Sequence, residues 1–533
     1  MKISKKVCTI KKSSFLHRLL LVFILIPLIG GCNDQGKVKT APPNLLFIMT
    51  DQQRFDALSI AGNPVLETPN MDRLAREGVW FKNAYTPCAV CTPARASILT
   101  GFSVINTGVI SNRLAYVEEE TGIMPMKTYD EILFENGYTC EYYGKWHTPT
   151  FRARIYNNPV TVAGKSSSEL GPGKKQAYLE YLDPVFPPRE PGPGEYMDTY
   201  TERPYQAHPV DKRYAYAQKG IEYEGRVGQS DIHGVTSIPA NYHISSFTGK
   251  KVMMALESLK DSTFSLTCSF HHPHPPYLGA KSYVEMFPVE DMPVPESIND
   301  DMANSPYLSR KIATDARYSN PENIQYFTSE YYAMVKEVDD WIGRILDKLD
   351  ELGLSDNTLV IFTSDHGEML GAHGMYSKMN FYEESAHIPL LIRFPGRIEP
   401  ATVVENYVST VNLFATILDY LGMPEKKSDG FSMRGLMEGS ERENGKYVVT
   451  EWLSSPKSAP SHMLIKDGWK LMLPDSSAQD VQKALYNLNS DPYELTNLLG
   501  EVNADDYSEI VSDLESCFRE WSEKVSLNKP LPQ

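Results

Sequence analysis

Asn44-Leu45-Leu46-Phe47-Ile48-Met49-Thr50 is an uninterrupted apolar run closed by Asp51. A strand buried on both faces reads this way, because helices cover both sides of a parallel sheet and no alternate residue meets water. The run therefore predicts a central strand of an open α/β sheet with a carboxylate at its carboxyl tip, the edge where such sheets bind ligands. A second run has the same form, since Thr358 to Thr363 leads into Ser364-Asp365-His366-Gly367. Side by side, the two tips would present two carboxylates and an imidazole at one edge. Each aspartate also has a local alternative, Asp51 as a cap for the next helix and Asp365 in a turn made with its own backbone.

Between these runs lies Cys91-Thr92-Pro93-Ala94-Arg95-Ala96-Ser97-Ile98-Leu99-Thr100-Gly101. A lone C-x-P-x-R is weak, and a buried cysteine at a strand-to-helix turn is its plain reading. The extended run, with Leu99, Thr100 and Gly101 in place, resembles the signature of the type I sulfatases, members of the alkaline-phosphatase-like superfamily. In that family the cysteine is oxidised to formylglycine, whose hydrate attacks sulfur. Gly137-Tyr138 and Gly144-Lys145-Trp146-His147 resemble the second signature of the family, with Cys140 and Tyr143 departing from it. Pro273-His274-Pro275-Pro276 matches its P-H-x-P element, and Lys378 followed by Tyr382-Glu383-Glu384-Ser385 matches its later lysine motif.

What the resemblance implies is a constellation. Asp51, Gln52, Asp365 and His366, with the modified Cys91, would hold a divalent cation; oxygen-rich ligation favours Ca²⁺, and Gln52, where many relatives have aspartate, can still offer a carbonyl oxygen. Arg95 would hold the nucleophile, and Lys145 and Lys378 would clamp the sulfate. His274 would protonate the leaving oxygen, and His147 would take a proton from the second hydroxyl of a sulfated-enzyme intermediate, expelling sulfate. The implied reaction is hydrolysis of a sulfate monoester; the alternatives are a phosphonate monoester hydrolase or phosphodiesterase on the same scaffold, and a non-catalytic glycan-binding lipoprotein.

The rest of the chain supplies scaffold and address. Thr68 and Pro69 open a helix stopped by Gly78, Tyr129 to Asn136 and Tyr242 to Leu259 read as further helices, and Glu330 to Leu352 carries an apolar stripe ending at Gly353. Residues 148–241 are rich in Pro, Gly and Tyr and read as a loop-rich insertion, with rings suited to sugar stacking or merely to covering the surface. Short strands at Tyr447 to Glu451, His462 to Lys466 and Trp469 to Leu473, then a helix from Tyr507 to Val525, mark a smaller C-terminal subdomain over 445–533. The expected fold is thus α/β: a large mixed, mostly parallel sheet flanked by helices over 44–444, with a C-terminal α+β unit.

At 533 residues, with 41% hydrophobic and 23% charged side chains, the chain is long enough for this arrangement. A formal charge of −16 argues against a general nucleic-acid binder, and if the substrate is an anion a local cluster of cations or a metal must overcome the overall field. Residues 1–31 combine a basic start, the apolar stretch Leu19 to Ile29 and Gly30-Gly31-Cys32. That resembles a bacterial lipoprotein signal, with Cys32 lipidated, residues 32–43 as tether, and the protein exported and anchored in the cell envelope, periplasm or outer membrane. Implied partners are a sulfated carbohydrate, a formylglycine-generating maturation enzyme and the membrane. Of seven cysteines, Cys88 and Cys91 form a C-x-x-C, but no second pair or histidine cluster completes a zinc site around them.

Overall fold

The computed structural model describes residues 41–529 apart from 118, 120–121, 157–173, 199, 226, 309–315, 441–443, 476–480 and 501–503. The expected signal segment, Cys32 and most of the tether lie outside the described residues. Among the described residues, no helix is long and apolar enough to cross a membrane.

Asn44–Asp51 forms a strand with every residue buried. It lies between Phe264–Pro273 and Thr358–Ser364, parallel to both, in a seven-stranded sheet. Across that sheet the order is Thr402–Ser409, Val79–Tyr85, Leu390–Arg393, Thr358–Ser364, Asn44–Asp51, Phe264–Pro273, Thr139–Gly144. Leu390–Arg393 alone runs against the others, so the sheet is mixed and mostly parallel, as the sequence predicts. Alternation along the first strand divides its side chains between two cores. Leu46 and Ile48 face helices Pro69–Glu77, Ile244–Leu259 and Pro321–Glu351, through residues such as Leu74, Leu256 and Ile342. Leu45, Phe47 and Met49 face helices Cys91–Thr100, Tyr129–Glu135 and Asn412–Tyr420, through Ile98, Ile132 and Ile417.

The helix read as starting at Glu330 begins at Pro321, where Asn320 caps it by accepting from the Glu322 amide at 2.9 Å. Thr68 makes no cap hydrogen bond to its helix. Asp339 of the long helix does that work, its Oδ1 accepting from the Asn70 and Met71 amides at 3.0 and 2.8 Å.

The insertion, read as loop-rich, also carries short strands and helices of its own. Glu195–Asp198, Arg203–Ala207, His233–Thr236 and Tyr277–Ala280 form a second, four-stranded sheet, accompanied by helices Lys174–Leu182 and Lys212–Gln218. Several of its tyrosines are structural: Tyr178 packs on Phe247 at 5.4 Å, and Tyr205 donates to Asp211 at 2.5 Å.

Tyr447–Glu451, His462–Lys466, Trp469–Leu473 and Ala484–Asn487 pair in sequence order as an antiparallel sheet. Helix Ser508–Asn528 covers one face of it, with Leu514 against Leu464, Leu471 and Leu485. On the other side, buried Lys470 places its Nζ 2.7 Å from both Glu383 and Glu494. This ties the C-terminal sheet to the segment that follows Lys378.

Candidate active site

The parallel register pairs Thr50 with Ser364, so the residues that follow, Asp51 and Asp365, emerge together at the carboxyl edge of the sheet. The Asp365 amide donates to Thr50 O at 3.3 Å, and the Gln52 amide to Asp365 Oδ1 at 3.1 Å. Gly367 follows because a Cβ there would lie 2.0 Å from Glu384 O. On the next strand but one, Gly144 has φ +100° and a Cβ would meet Ser269 O at 1.8 Å; that tight turn delivers Lys145 into the same edge.

Helix Cys91–Thr100 begins at the cysteine itself, after Val90 in extended conformation. Pro93 falls in its first turn, where an amide hydrogen would have no helical acceptor. The spacing from Cys91 to Arg95 is one turn, so both side chains share the face that meets the strand tips. Cys91 Sγ lies 3.1 Å from His366 Nε2 and 3.8 Å from Lys145 Nζ. Donor atoms of Asp51, Cys91, Asp365 and His366 all fall within 4.8 Å of one another, and all four residues are buried.

Arg95 spends its donors on the acids rather than on position 91. Nε reaches Asp365 Oδ2 at 2.8 Å, one terminal nitrogen reaches Asp51 Oδ2 at 2.9 Å, and the other reaches Ser269 Oγ and Lys145 O, both at 2.9 Å. Its influence on Cys91 is through charge. Lys145 Nζ pairs with Asp51 Oδ2. Burial and Asp51 act to raise the Cys91 thiol, but Lys145, Lys378 and His366 outweigh them and hold it well below the usual thiol range.

The two aspartates divide their proton affinity. Against burial, Lys145, His274, Arg95 and His366 hold Asp51 low. Burial and the Asp51 charge raise Asp365. Asp51 Oδ1 is buried and has no hydrogen-bond partner among the described residues. A bare carboxylate oxygen facing a second acid is the donor set a dication satisfies. His366 suits the same role: Nδ1 donates to Gly367 O at 2.9 Å, which makes Nε2, 3.1 Å from Cys91 Sγ, the nitrogen that would face a cation. Burial lowers His366, and Asp365 and Cys91 raise it above its ordinary value.

Gln52, at φ 73°, has its amide fixed at both ends. Lys378 Nζ donates to Oε1, and Nε2 donates to Glu368 Oε2, which also accepts from Tyr277 at 2.9 Å. The expected ligand oxygen and the expected sulfate clamp thus meet in one hydrogen bond. Glu368 and Tyr277 were not singled out from the sequence; the only trace of the first is its place in Asp365-His366-Gly367-Glu368. Ser377 and Met379, on either side of Lys378, have φ 66° and 73°, and the Met379 amide donates to Ala89 O at 3.2 Å, which pins the lysine loop to the Cys91 turn. Left-handed backbone at such residues costs about 1–3 kcal/mol each and is held only by surrounding structure.

The two expected proton-transfer histidines are both buried. Burial and Lys145 push His147 down to about 4, against its interaction with Cys91. Burial, Lys145 and Lys378 hold His274 well below its ordinary range. His274 Nδ1 donates to Pro275 O at 2.6 Å, so the neutral ring presents Nε2 as an acceptor. His373 lies apart, stacked on Tyr382 at 3.8 Å and paired with Asp300 at 2.7 Å. Cys88, Cys91, Cys140, Cys268 and Cys517 are free thiols.

A family model described as Sulfatase matches residues 43–423. The chain belongs to the sulfatase family. A model described as N-sulphoglucosamine sulphohydrolase, C-terminal, matches residues 371–524 of the same sulfatase. It is 30% identical over 448 residues to the ulvan-active sulfatase of Formosa agariphila, covering 82% of this chain and 72% of the relative. With the N-acetylglucosamine-6-O-sulfatase of Bacteroides thetaiotaomicron it shares 25% identity over 550 residues, covering 95% and 92%. The solved phosphonate monoester hydrolase of Agrobacterium radiobacter has the same fold, with a TM-score of 0.71 at 24% identity, covering 91% of this chain and 96% of that one. As a sulfatase, the protein is a sulfuric ester hydrolase.

Proposed function

We propose that this sulfatase removes sulfate from a sulfated glycan, with position 91 carried as formylglycine beside a Ca²⁺ held by Asp51, Gln52, Asp365 and His366. The observation that carries the reading is the convergence of Cys91, both strand-tip aspartates and His366 within 4.8 Å at one sheet edge. The bare Asp51 Oδ1 supports the cation. When bound, the ion neutralises charge on oxygen, and the aldehyde hydrate supplies the attacking oxygen.

The chain's own residues then have distinct work. Arg95 keeps the two aspartates from separating, and Lys145 and Lys378 offer ammonium groups to the sulfuryl oxygens in a buried setting where charge is poorly screened. His147, neutral at pH 7 with its affinity pushed down to about 4, accepts a proton at a ring nitrogen. Lys145 and Lys378 keep His274 neutral in the empty site; the ester's negative charge offsets them, so that Nε2 takes up a proton from solvent as substrate binds and passes it to the leaving oxygen. Tyr200, stacked on His271 at 6.1 Å, with His271 5.0 Å from His274, sets an aromatic face beside the leaving-group acid. The ulvan-active and N-acetylglucosamine-6-O-sulfatase relatives support a sugar as the leaving group.

The test is a substrate panel of sulfated mono- and disaccharides, an aryl sulfate and an aryl phosphonate, with mass spectrometry of the peptide containing residue 91. Sulfate release from a sulfated sugar, and an aldehyde in place of the thiol, are expected. Faster turnover of the phosphonate than of every sulfate ester would favour a phosphonate monoester hydrolase, the activity of the neighbour of like fold. For the address, lipid on Cys32 and release of a Cys32→Ser variant from the envelope are expected; an unmodified Cys32 in the mature protein would refute that part.

A further inference from the structure

Helix Pro321–Glu351 carries Glu330 and Glu337 two turns apart, and each meets two histidines. At Glu330 the imidazoles divide the carboxylate, His208 Nδ1 against Oε1 at 2.5 Å and His233 Nδ1 against Oε2 at 2.8 Å. At Glu337 both turn to the same oxygen. His243 Nδ1 is 2.6 Å from Oε2 and His272 Nδ1 is 3.6 Å from it, with ring centroids 4.6 Å apart. Oε1 of Glu337 is buried with no hydrogen-bond partner among the described residues. One donor atom from each of the three lies within 4.8 Å of the others, and all three residues are buried.

We propose that His243, His272 and Glu337 form a second metal site, for a zinc-class transition cation, distinct from the position between Asp51 and Asp365. Two imidazole nitrogens and one carboxylate suit zinc and its neighbours, whereas calcium and magnesium take oxygen donors. Bonds of about 2.0–2.2 Å require adjacent donors a little over 3 Å apart, so the present spacings need only small side-chain shifts. The proton now between His243 and Glu337 leaves when the cation enters, and the bare Oε1 offers a second contact. A cavity of about 30 Å³ opens beside His243 and His272, room for one water as a further ligand. Ser245 Oγ, 2.9 Å from His272 Nδ1, is a protein group at the same place.

The ligands come from three elements: the residue before helix Ile244–Leu259, the end of strand Phe264–Pro273 and the middle of the long helix. A cation there fastens the turn that carries His274 to both helices. The site does not depend on the chemistry at position 91.

The full-length protein, stripped with a chelator and refilled with excess Ca²⁺, is titrated with Co²⁺ and followed by visible absorption. One equivalent of Co²⁺ with ligand-field bands is expected, lost in His243→Ala and His272→Ala, at least tenfold weaker in Glu337→Gln, and retained in Asp365→Asn. Zn²⁺ displaces it and raises the melting temperature of the wild type but not of His243→Ala. A wild-type crystal soaked in Co²⁺ gives an anomalous peak among the three side chains, a readout that needs no variant to fold. No Co²⁺ bound in the presence of Ca²⁺, or a peak confined to Asp51 and Asp365, overturns the proposal and leaves the three as a buried hydrogen-bonded cluster.

Discussion

Replacing Arg95 with alanine perturbs the joint on which the site is built. Arg95 has 1% of its side chain exposed and Asp51 and Asp365 have none, so the guanidinium bonds at 2.9 and 2.8 Å are desolvated contacts. Breaking a buried ion pair by removing one partner costs about 3–5 kcal/mol, because the remaining charge is left uncompensated. Here two carboxylates lose their shared partner, and Asp365 is already raised by burial and by Asp51. The loss should therefore sit in that range in chelator. A dication supplies the missing positive charge, and at a hundredfold excess over its dissociation constant it stabilises the folded state by about 2.7 kcal/mol. Arg95→Ala should gain more from Ca²⁺ than the wild type does. Guanidinium unfolding followed by tryptophan fluorescence, in chelator and in Ca²⁺, reads both effects. A variant as stable as the wild type in chelator, or one that responds less to Ca²⁺, refutes the reasoning.

Glu368→Gln removes the charge that fixes the Gln52 amide, so Ca²⁺ affinity by calorimetry should fall about tenfold, the scale of a lost partner behind a metal ligand; unchanged affinity would exclude Gln52 as an oriented donor. His462 packs its ring on Phe518 and Trp521 at 5.1 and 6.1 Å, and burial lowers it from 6.5 to about 4. Between those values the unfolded chain binds more protons than the folded one, so stability complete above pH 6.5 is lost as pH falls through 4, by at most about 3 kcal/mol. Hydrogen exchange over helix Ser508–Asn528 should speed up across that window in the wild type and not in His462→Gln; a flat wild-type profile would contradict this.

The central strands Asn44–Asp51 and Thr358–Ser364 were legible because burial on both faces leaves apolar runs with little polar interruption, whereas the outer strands Thr139–Gly144 and Thr402–Ser409, partly exposed, were not. Cys91 and Arg95 were legible through the resemblance of Cys91 to Gly101 to the sulfatase signature; that one helical turn puts them on a common face is what the structure adds. The insertion was not legible, since its sheet is completed by Tyr277–Ala280, far along the chain, and its strands are too short to show a period. The cap on helix Pro69–Glu77 escaped notice for a like reason: Asp339 stands in for Thr68 from another helix. Glu368, Tyr277, Glu337 and His243 act through contacts between distant segments, which no local spacing reveals. Arg95 shows the finer limit, as its position was readable and the direction of its donors was not.

Sulfate release by Cys91→Ala, purified with Ca²⁺ under conditions that mature the wild type, is the most direct measurement. Loss of turnover to background with the fold intact is expected if the ester is cleaved where helix Cys91–Thr100 meets Asp51 and Asp365. Turnover at the wild-type rate would place the chemistry elsewhere in the molecule.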